Sequence, residues 1–269
     1  RFREAVVNWE DTCSRIKSMI NIPDASRWIT QGFIGRSTGG KATTLGREGS
    51  DFSAAIFASC LSADSVTIWK DVAGILNADP KRFSGTVLYS NLSYQEAAEM
   101  SYYGASVIHP NTIKPLANRG IPLYVKSFEN PELPGTLIDS GDKHSLPPAF
   151  VFKDNQCLVS FIPRNLDFIS ERNLSRIFAA LDQLNLRINL MQNSAVSFSI
   201  CVNENREKVG ELIRMTESEF KARYNTGLQL ITVKNYSQKA IESVSLNREI
   251  LLEQRTRNTY QIIIRPDHT

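Results

Sequence analysis

Pro147-Pro148, preceded by the polar stretch 139–145, divides this 269-residue chain into two halves whose apolar residues follow different rhythms. Proline removes a backbone donor and fixes φ, so consecutive prolines end whatever element precedes them. Before the break, short β-rich runs alternate with helical patterns. Helix is expected over 2–20 and 51–62, strand over 28–35 and at Val66-Thr67-Ile68-Trp69, then helices after Ser93 and after Pro110. Ser93 and Glu96 have capping-box spacing, and Gly104 can end the helix they start. Strands close the half at 121–125 and 135–138. Such alternation predicts a mostly parallel sheet with helices on both faces, whose ligand groups gather in loops after the strands.

Beyond the break the order becomes strand 156–162, helix 173–184, strands 187–192 and 196–202, helix 207–220 and strand 227–233. That is βαββαβ, a ferredoxin-like unit. A reduced second copy follows, with a helix over 238–244 and strands 249–254 and 259–265. Sheets of this kind leave edges and a bare face, so pairing within the tandem or across a dimer is expected.

The bulk properties exclude several classes. The net charge of +3 is spread without a basic stripe, so no nucleic-acid partner is expected. No apolar run reaches the length of a membrane span and no secretory signal opens the chain, which points to the cytoplasm. Cys13, Cys60, Cys157 and Cys201 lack CxxC spacing and read as reduced, buried thiols. His109, His144 and His268 are too scattered for a local metal motif, so no metal ligand is assigned. Arg1-Phe2-Arg3 enters in mid-helix without Met, which suggests a text that begins inside a longer protein.

Two Gly-rich segments could hold anions. Gly35–Ala42 nearly spells a P-loop, but Ala42 stands where Ser or Thr should follow the lysine, and no helix pattern starts there. Lys41 is read instead as the solvated tip of a Gly-rich hairpin. Gly46-Arg47-Glu48-Gly49-Ser50-Asp51 is different, because it opens directly into the apolar-periodic segment 52–61. A helix start there offers backbone N–H groups and a favourable dipole to a carboxylate or phosphate. Ser50 and Asp51 are also good N-cap types, and caps are commoner than sites.

These residues carry a resemblance to the aspartate kinases. The matching motifs are Gly32-Phe33-Ile34-Gly35, Thr43-Thr44-Leu45-Gly46-Arg47, Gly49-Ser50-Asp51, Ile68-Trp69-Lys70-Asp71-Val72, Gly74-Ile75-Leu76-Asn77-Ala78-Asp79-Pro80, Glu96-Ala97-Ala98-Glu99-Met100 and Val107-Ile108-His109-Pro110. The resemblance implies that residues 1–138 are the C-terminal part of an amino-acid-kinase domain and 139–148 a linker. Residues 149–269 would be a tandem ACT regulatory region, with units at about 156–226 and 227–265. It implies ATP-dependent phosphorylation of the L-aspartate β-carboxylate, with Mg²⁺, on the route to lysine, threonine and methionine. A homodimer or larger homo-oligomer through the ACT units is implied too. Arg47 would hold a substrate carboxylate, Phe33 would wall the pocket and Ser50 would donate to the substrate. Asp51 would take the substrate ammonium or orient a catalytic lysine. Lys70, Asp71, Leu76 and Lys81 would serve the nucleotide, Leu76 replacing an aromatic. An effector amino acid (lysine, threonine or methionine) would lie near Ile188, Asn189 and Gln192, beside loop 164–172.

The text also departs from the family pattern. It lacks the N-terminal Lys-Phe-Gly-Gly-type motif, has Ser106 where many relatives carry lysine, and has Glu48 within what is commonly Gly-Gly. Asn189 stands in place of an acid common in lysine-sensitive relatives, and Glu171-Arg172-Asn173 in place of a glycine. The expectation is that this polypeptide alone does not phosphorylate aspartate. A sensing and assembly fragment, or a kinase of another carboxylate, are the alternatives.

Overall fold

A computed structural model describes residues 5–20, 27–105, 107–141, 146–165 and 167–266, and the chain divides into two compact units between Pro147 and Pro148. In the first unit, α1 (Trp9–Met19) is capped by the Asn8 side chain, which accepts from the Asp11 amide, and carries Glu10 and Asp11 at its positive end. The segment expected as strand 28–35 is extended only at its end. There β1 (Ile34–Arg36) pairs antiparallel with β2 (Ala42–Thr44), and Lys41 lies in the exposed Gly-rich turn between them. Short, solvent-facing strands of three residues pair locally and need no buried sheet, which is why residues 28–31 gain nothing from extending it.

The helix α2 (Gly49–Leu61) follows, then β3 (Val66–Lys70), β4 (Asn91–Ser93), α3 (Tyr94–Tyr103), α4 (Pro110–Ala117), β5 (Leu123–Ser127) and β6 (Thr136–Asp139). These strands form a sheet ordered β3-β5-β6-β4, in which β3–β5 and β4–β6 are parallel and β5–β6 antiparallel. The sheet is thus mostly parallel, as expected. The strand β4, too short for a periodicity signal, was not legible in the sequence. Ser93 caps α3 through its hydroxyl, which accepts from the Glu96 amide at 3.1 Å, and Gly104 ends the helix at φ 120°.

Two thiols depart from the sequence reading. Cys13 and Cys60 are joined by a disulfide across 47 residues, with Cα atoms 4.8 Å apart. Packing brings them together, because Ile16 of α1 buries against Phe52, Ile56 and Cys60 of α2. No local spacing rule could find partners so distant in sequence. Cys157 and Cys201 are free and buried, as expected, and burial pushes their thiols up to about 11 and about 12.

The second unit runs β7 (Ala149–Pro163), α5 (Glu171–Gln183), β8 (Ile188–Asn193), β9 (Phe198–Asn203), α6 (Arg206–Thr216), β10 (Phe220–Lys234), α7 (Gln238–Ser245), β11 (Ile250–Arg255) and β12 (Thr259–Ile264). Its antiparallel sheet has the order β11-β12-β10-β7-β9-β8. Both central strands have 15 residues, longer than the sequence reading allowed, and each serves two half-sheets. The later part of β7 and the first part of β10 complete a ferredoxin-like order with β8 and β9. The later part of β10 pairs with β12 and with Ala149–Lys153 at the start of β7. The reduced second copy therefore takes its fourth strand from the chain that precedes the first copy.

Between the halves, Asn155 at φ 53°, Gly227 at φ 67° and a register slip between Asn225 and Leu228 interrupt the long ladder. One face of the sheet buries Cys157, Val159, Phe161, Phe198, Ile200 and Val202 with Ile177 and Leu181 of α5 and Leu212 of α6. The alternate residues Leu158, Leu190 and Cys201 share a second buried cluster with Leu228, Leu230, Leu252 and Ile263 of the other half. Period-2 alternation puts these two sets on opposite faces. Only the strip of that face nearest the second copy is buried within the tandem, while Lys221 and Arg223 farther along it stay exposed.

Reducing the Cys13–Cys60 bond releases a loop whose closure is worth about 2–4 kcal/mol. Thermal melts with a phosphine reductant should show a lower first-unit transition, and an intact Cys60→Ser variant should no longer respond to the reductant.

Candidate functional site

The first turn of α2 is built by close approach. Phe33 adopts φ 73°, its amide donates to Ser53 Oγ at 2.9 Å, and that hydroxyl donates to the Gly49 carbonyl at 2.9 Å. The Phe33 carbonyl in turn accepts from the Leu45 amide. A Cβ on Gly49 would lie 2.6 Å from the Phe33 ring and 3.1 Å from Leu45 Cβ, so only glycine fits beneath the phenyl group. One on Gly32 would meet Ser50 Cα at 3.1 Å. The loop carrying Phe33 and the start of α2 are thus held in contact, with the ring left half-exposed.

Contrary to the sequence reading, neither Ser50 nor Asp51 caps α2. The N-cap is Glu48, at φ 53° and without a side-chain capping bond, while both expected residues lie inside the first turn. A glycine-bounded turn closed by Gly49 N–H donating to Gly46 O makes this possible. Asp51 is thereby freed for a different partner. Lys70, the last residue of β3, donates from Nζ to Asp51 Oδ2 at 2.7 Å. The Glu48 carboxylate lies 3.7 Å from the same Nζ. Glu48 is held above the usual carboxylate range, mainly by burial and also by Asp51, with Lys70 opposing.

The structure therefore gathers Phe33, Ser50, Asp51 and Lys70 around one helix start, with exposed Arg47 beside Glu48. Asp71, Leu76 and Lys81 belong to the segment between β3 and β4. Asp71 and Lys81 are exposed, and Leu76 bridges Leu88. Sequence reasoning missed the residue that shapes this loop. Buried Asn77 donates its amide to Val87 O at 2.9 Å and accepts from Val87 N through Oδ1 at 2.7 Å. A buried Asn inside a Gly- and Pro-rich loop is the signal that could have found it. Ser106, His144 and His268 lie outside the described residues.

In the second unit the residues expected at an effector site are differently engaged. Asn189 Nδ2 donates to Gln156 Oε1 at 2.7 Å and Asn203 Oδ1 at 2.8 Å, and Asn189 Oδ1 accepts from Lys153 Nζ at 2.9 Å. Burial holds Lys153 below the usual lysine range. Ile188 packs against the helix-covered core, and Gln192 is exposed.

Among the described residues, no group of three His, Cys, Asp or Glu is placed to hold a metal ion. No helix among them is long and apolar enough to cross a membrane.

Residues 13–127 match the amino acid kinase family. The chain is 38% identical to lysine-sensitive aspartokinase 3 of Escherichia coli over 179 residues, 65% of this chain and 39% of that protein. It is 37% identical to the chloroplastic bifunctional aspartokinase/homoserine dehydrogenase 2 of Zea mays over 193 residues, 70% of this chain and 21% of that protein. The structure of E. coli aspartokinase III in complex with aspartate and ADP matches 98% of this chain and 63% of its own, with a TM-score of 0.79 at 28% identity. Clostridium acetobutylicum aspartate kinase gives a TM-score of 0.80 at 23% identity, again over 98% of this chain and 65% of that one, and speaks to the fold. The chain thus spans between 21% and 39% of the length of these curated relatives.

Replacing Gly49 by Ala should destabilise the first unit by about 1–3 kcal/mol, because the ring and the turn must move apart. Urea unfolding followed by Trp fluorescence measures this, and an unchanged midpoint would contradict the packing described.

Proposed function

The chain is related to the aspartokinases by sequence and by fold, and on that premise we propose that it forms part of an enzyme that transfers the ATP γ-phosphoryl group to the L-aspartate β-carboxylate. The observation that carries this reading is the Lys70–Asp51 ion pair at the first turn of α2, the turn on whose Gly49 the Phe33 ring rests. In the reaction an oxygen of the substrate β-carboxylate forms a bond to the γ-phosphorus, the bond to the β,γ-bridging oxygen breaks, and ADP leaves. Such transfer depends on positioning and on neutralising charge.

Arg47 pairs with the other substrate carboxylate, whose planar oxygens match a guanidinium fork. Phe33 closes one wall, its ring half-exposed beside the helix start. Ser50 donates its hydroxyl to the substrate, and the helix start adds backbone N–H groups. Lys70, oriented by Asp51, offers its ammonium to phosphate oxygens. Lys81 meets the phosphate tail, while Asp71 and Leu76 face the nucleoside. Asp51 is bonded to Lys70 and Glu48 lies within ion-pair range of the same ammonium, a cation already between them, so these residues do not fit a protein-held Mg²⁺.

The second unit acts as a regulatory module of the ACT type, and oligomers form through it. An amino-acid effector near Ile188, Asn189 and Gln192 would act by exchanging one of the Asn189 hydrogen bonds for its own. Any such coupling is reciprocal, so aspartate would change effector affinity by the same factor.

Binding of L-aspartate, measured by calorimetry against L-glutamate and N-acetylglutamate, should favour aspartate. Arg47→Ala should weaken it by roughly 10–100-fold, the equivalent of about 1.5–3 kcal/mol for a charge-assisted contact. Equal affinity for all three acids, or an unaffected variant, would sink the reading.

A further inference from the structure

Lys70 has two claimants and only one of them is satisfied. Asp51 Oδ2 accepts its hydrogen bond at 2.7 Å, whereas Glu48 Oε2 stands at 3.7 Å, within ion-pair range but beyond hydrogen-bond reach. That Glu48 oxygen is buried and has no hydrogen-bond partner. All three side chains are largely withdrawn from water, at 23%, 21% and 13% exposure for Lys70, Glu48 and Asp51. Water therefore does little to screen the excess negative charge, and a half-satisfied buried carboxylate is costly. Glu48 is fixed there by the backbone, because its left-handed N-cap conformation sets its direction at the start of α2.

An incoming phosphate must draw Lys70 towards itself and away from the more distant of the two carboxylates, Glu48. Asp51 keeps the stronger bond. Glu48, left facing Asp51 without its counter-charge, becomes the group with most to gain from neutralisation. We propose that Glu48 is a positioning residue that holds Lys70 back from an approaching phosphate and releases it by taking up one proton. This rests on reading the site as one for phosphoryl transfer.

The charged groups that face Glu48 are Lys70 from β3, Asp51 from α2 and Arg47 from the preceding turn. Burial, the largest influence, and Asp51 already raise the Glu48 carboxyl above the ordinary glutamate range, while Lys70 and Arg47 oppose them. Removing Lys70 to a phosphate raises it further, so proton uptake and anion binding favour one another. The sign is fixed: anion affinity is highest at low pH, where Glu48 is protonated, and falls as pH rises through its titration.

The test compares the chain with its Glu48→Gln variant in titration calorimetry between pH 5.5 and 8.5. ADP and inorganic tripolyphosphate are the probes, each in two buffers of different ionisation enthalpy. The probes' own titration is common to both proteins and cancels in the comparison. The unmodified chain should lose affinity with rising pH more steeply than E48Q, by at most about tenfold per pH unit, the limit for one linked proton. It should also take up more protons on binding. At pH 8 E48Q should bind more tightly than the unmodified chain. Parallel pH profiles, or absence of tripolyphosphate binding, would overturn the proposal. A pH-linked difference with tripolyphosphate but no ADP binding would support it while sinking the nucleotide reading. Should E48Q not fold, the buffer dependence of the unmodified chain decides alone, because uptake no greater than the probe's own overturns the proposal.

Discussion

Lys70 ends a parallel strand, yet its ammonium is spent on the helix that precedes that strand in the chain. The ion pair with Asp51 joins the carboxyl end of β3 to the first turn of α2, and it forms in a place where water is scarce enough for charge to matter. Everything proposed for the first unit depends on that attachment. It sets where the helix begins relative to the sheet and keeps a cation beside the helix start. It also leaves Arg47 and Ser50 on the open side. The glycines serve the same end from below, since Gly49 lets the Phe33 loop rest on the helix that Asp51 anchors.

The second unit solves a different problem, that of a sheet with more strands than helices. Two 15-residue strands run through both half-sheets, and the reduced copy borrows Ala149–Lys153 as the strand it lacks. Left-handed Asn155 and Gly227 absorb the change between halves, which an uninterrupted ladder could not. At the same seam, Gln156, Asn189, Asn203 and Lys153 satisfy one another with hydrogen bonds next to an apolar cluster drawn from both halves. A polar network of this kind fixes register, because any slip leaves several donors without acceptors. The arrangement joins the two copies through one continuous sheet.

Much of the candidate site was readable because it is local. Phe33, Arg47, Ser50 and Asp51 lie within 19 positions, and the motif around Lys70 and Asp71 has its own signature. The cap of α3 was readable for the same reason, since Ser93 and Glu96 are one turn apart. The cap of α2 was misread because Ser50 and Asp51 are good capping types on any local scale. Only the left-handed Glu48 and the contact with Phe33 move the helix start upstream. The Cys13–Cys60 bond and the Asn77 loop clamp were illegible because their partners are set by packing rather than by spacing.

By itself, the sequence determined the two-part division at the prolines, the alternating and ferredoxin-like rhythms, and the cluster of site residues near Gly46–Asp51. These follow from periodicity, backbone restriction and capping chemistry, which act over a few residues. The tertiary structure alone decided which carboxylate holds Lys70, which thiols pair, and where the second copy finds its last strand. Those outcomes depend on which surfaces meet, and on competition for one ammonium or one strand edge among groups far apart in the chain.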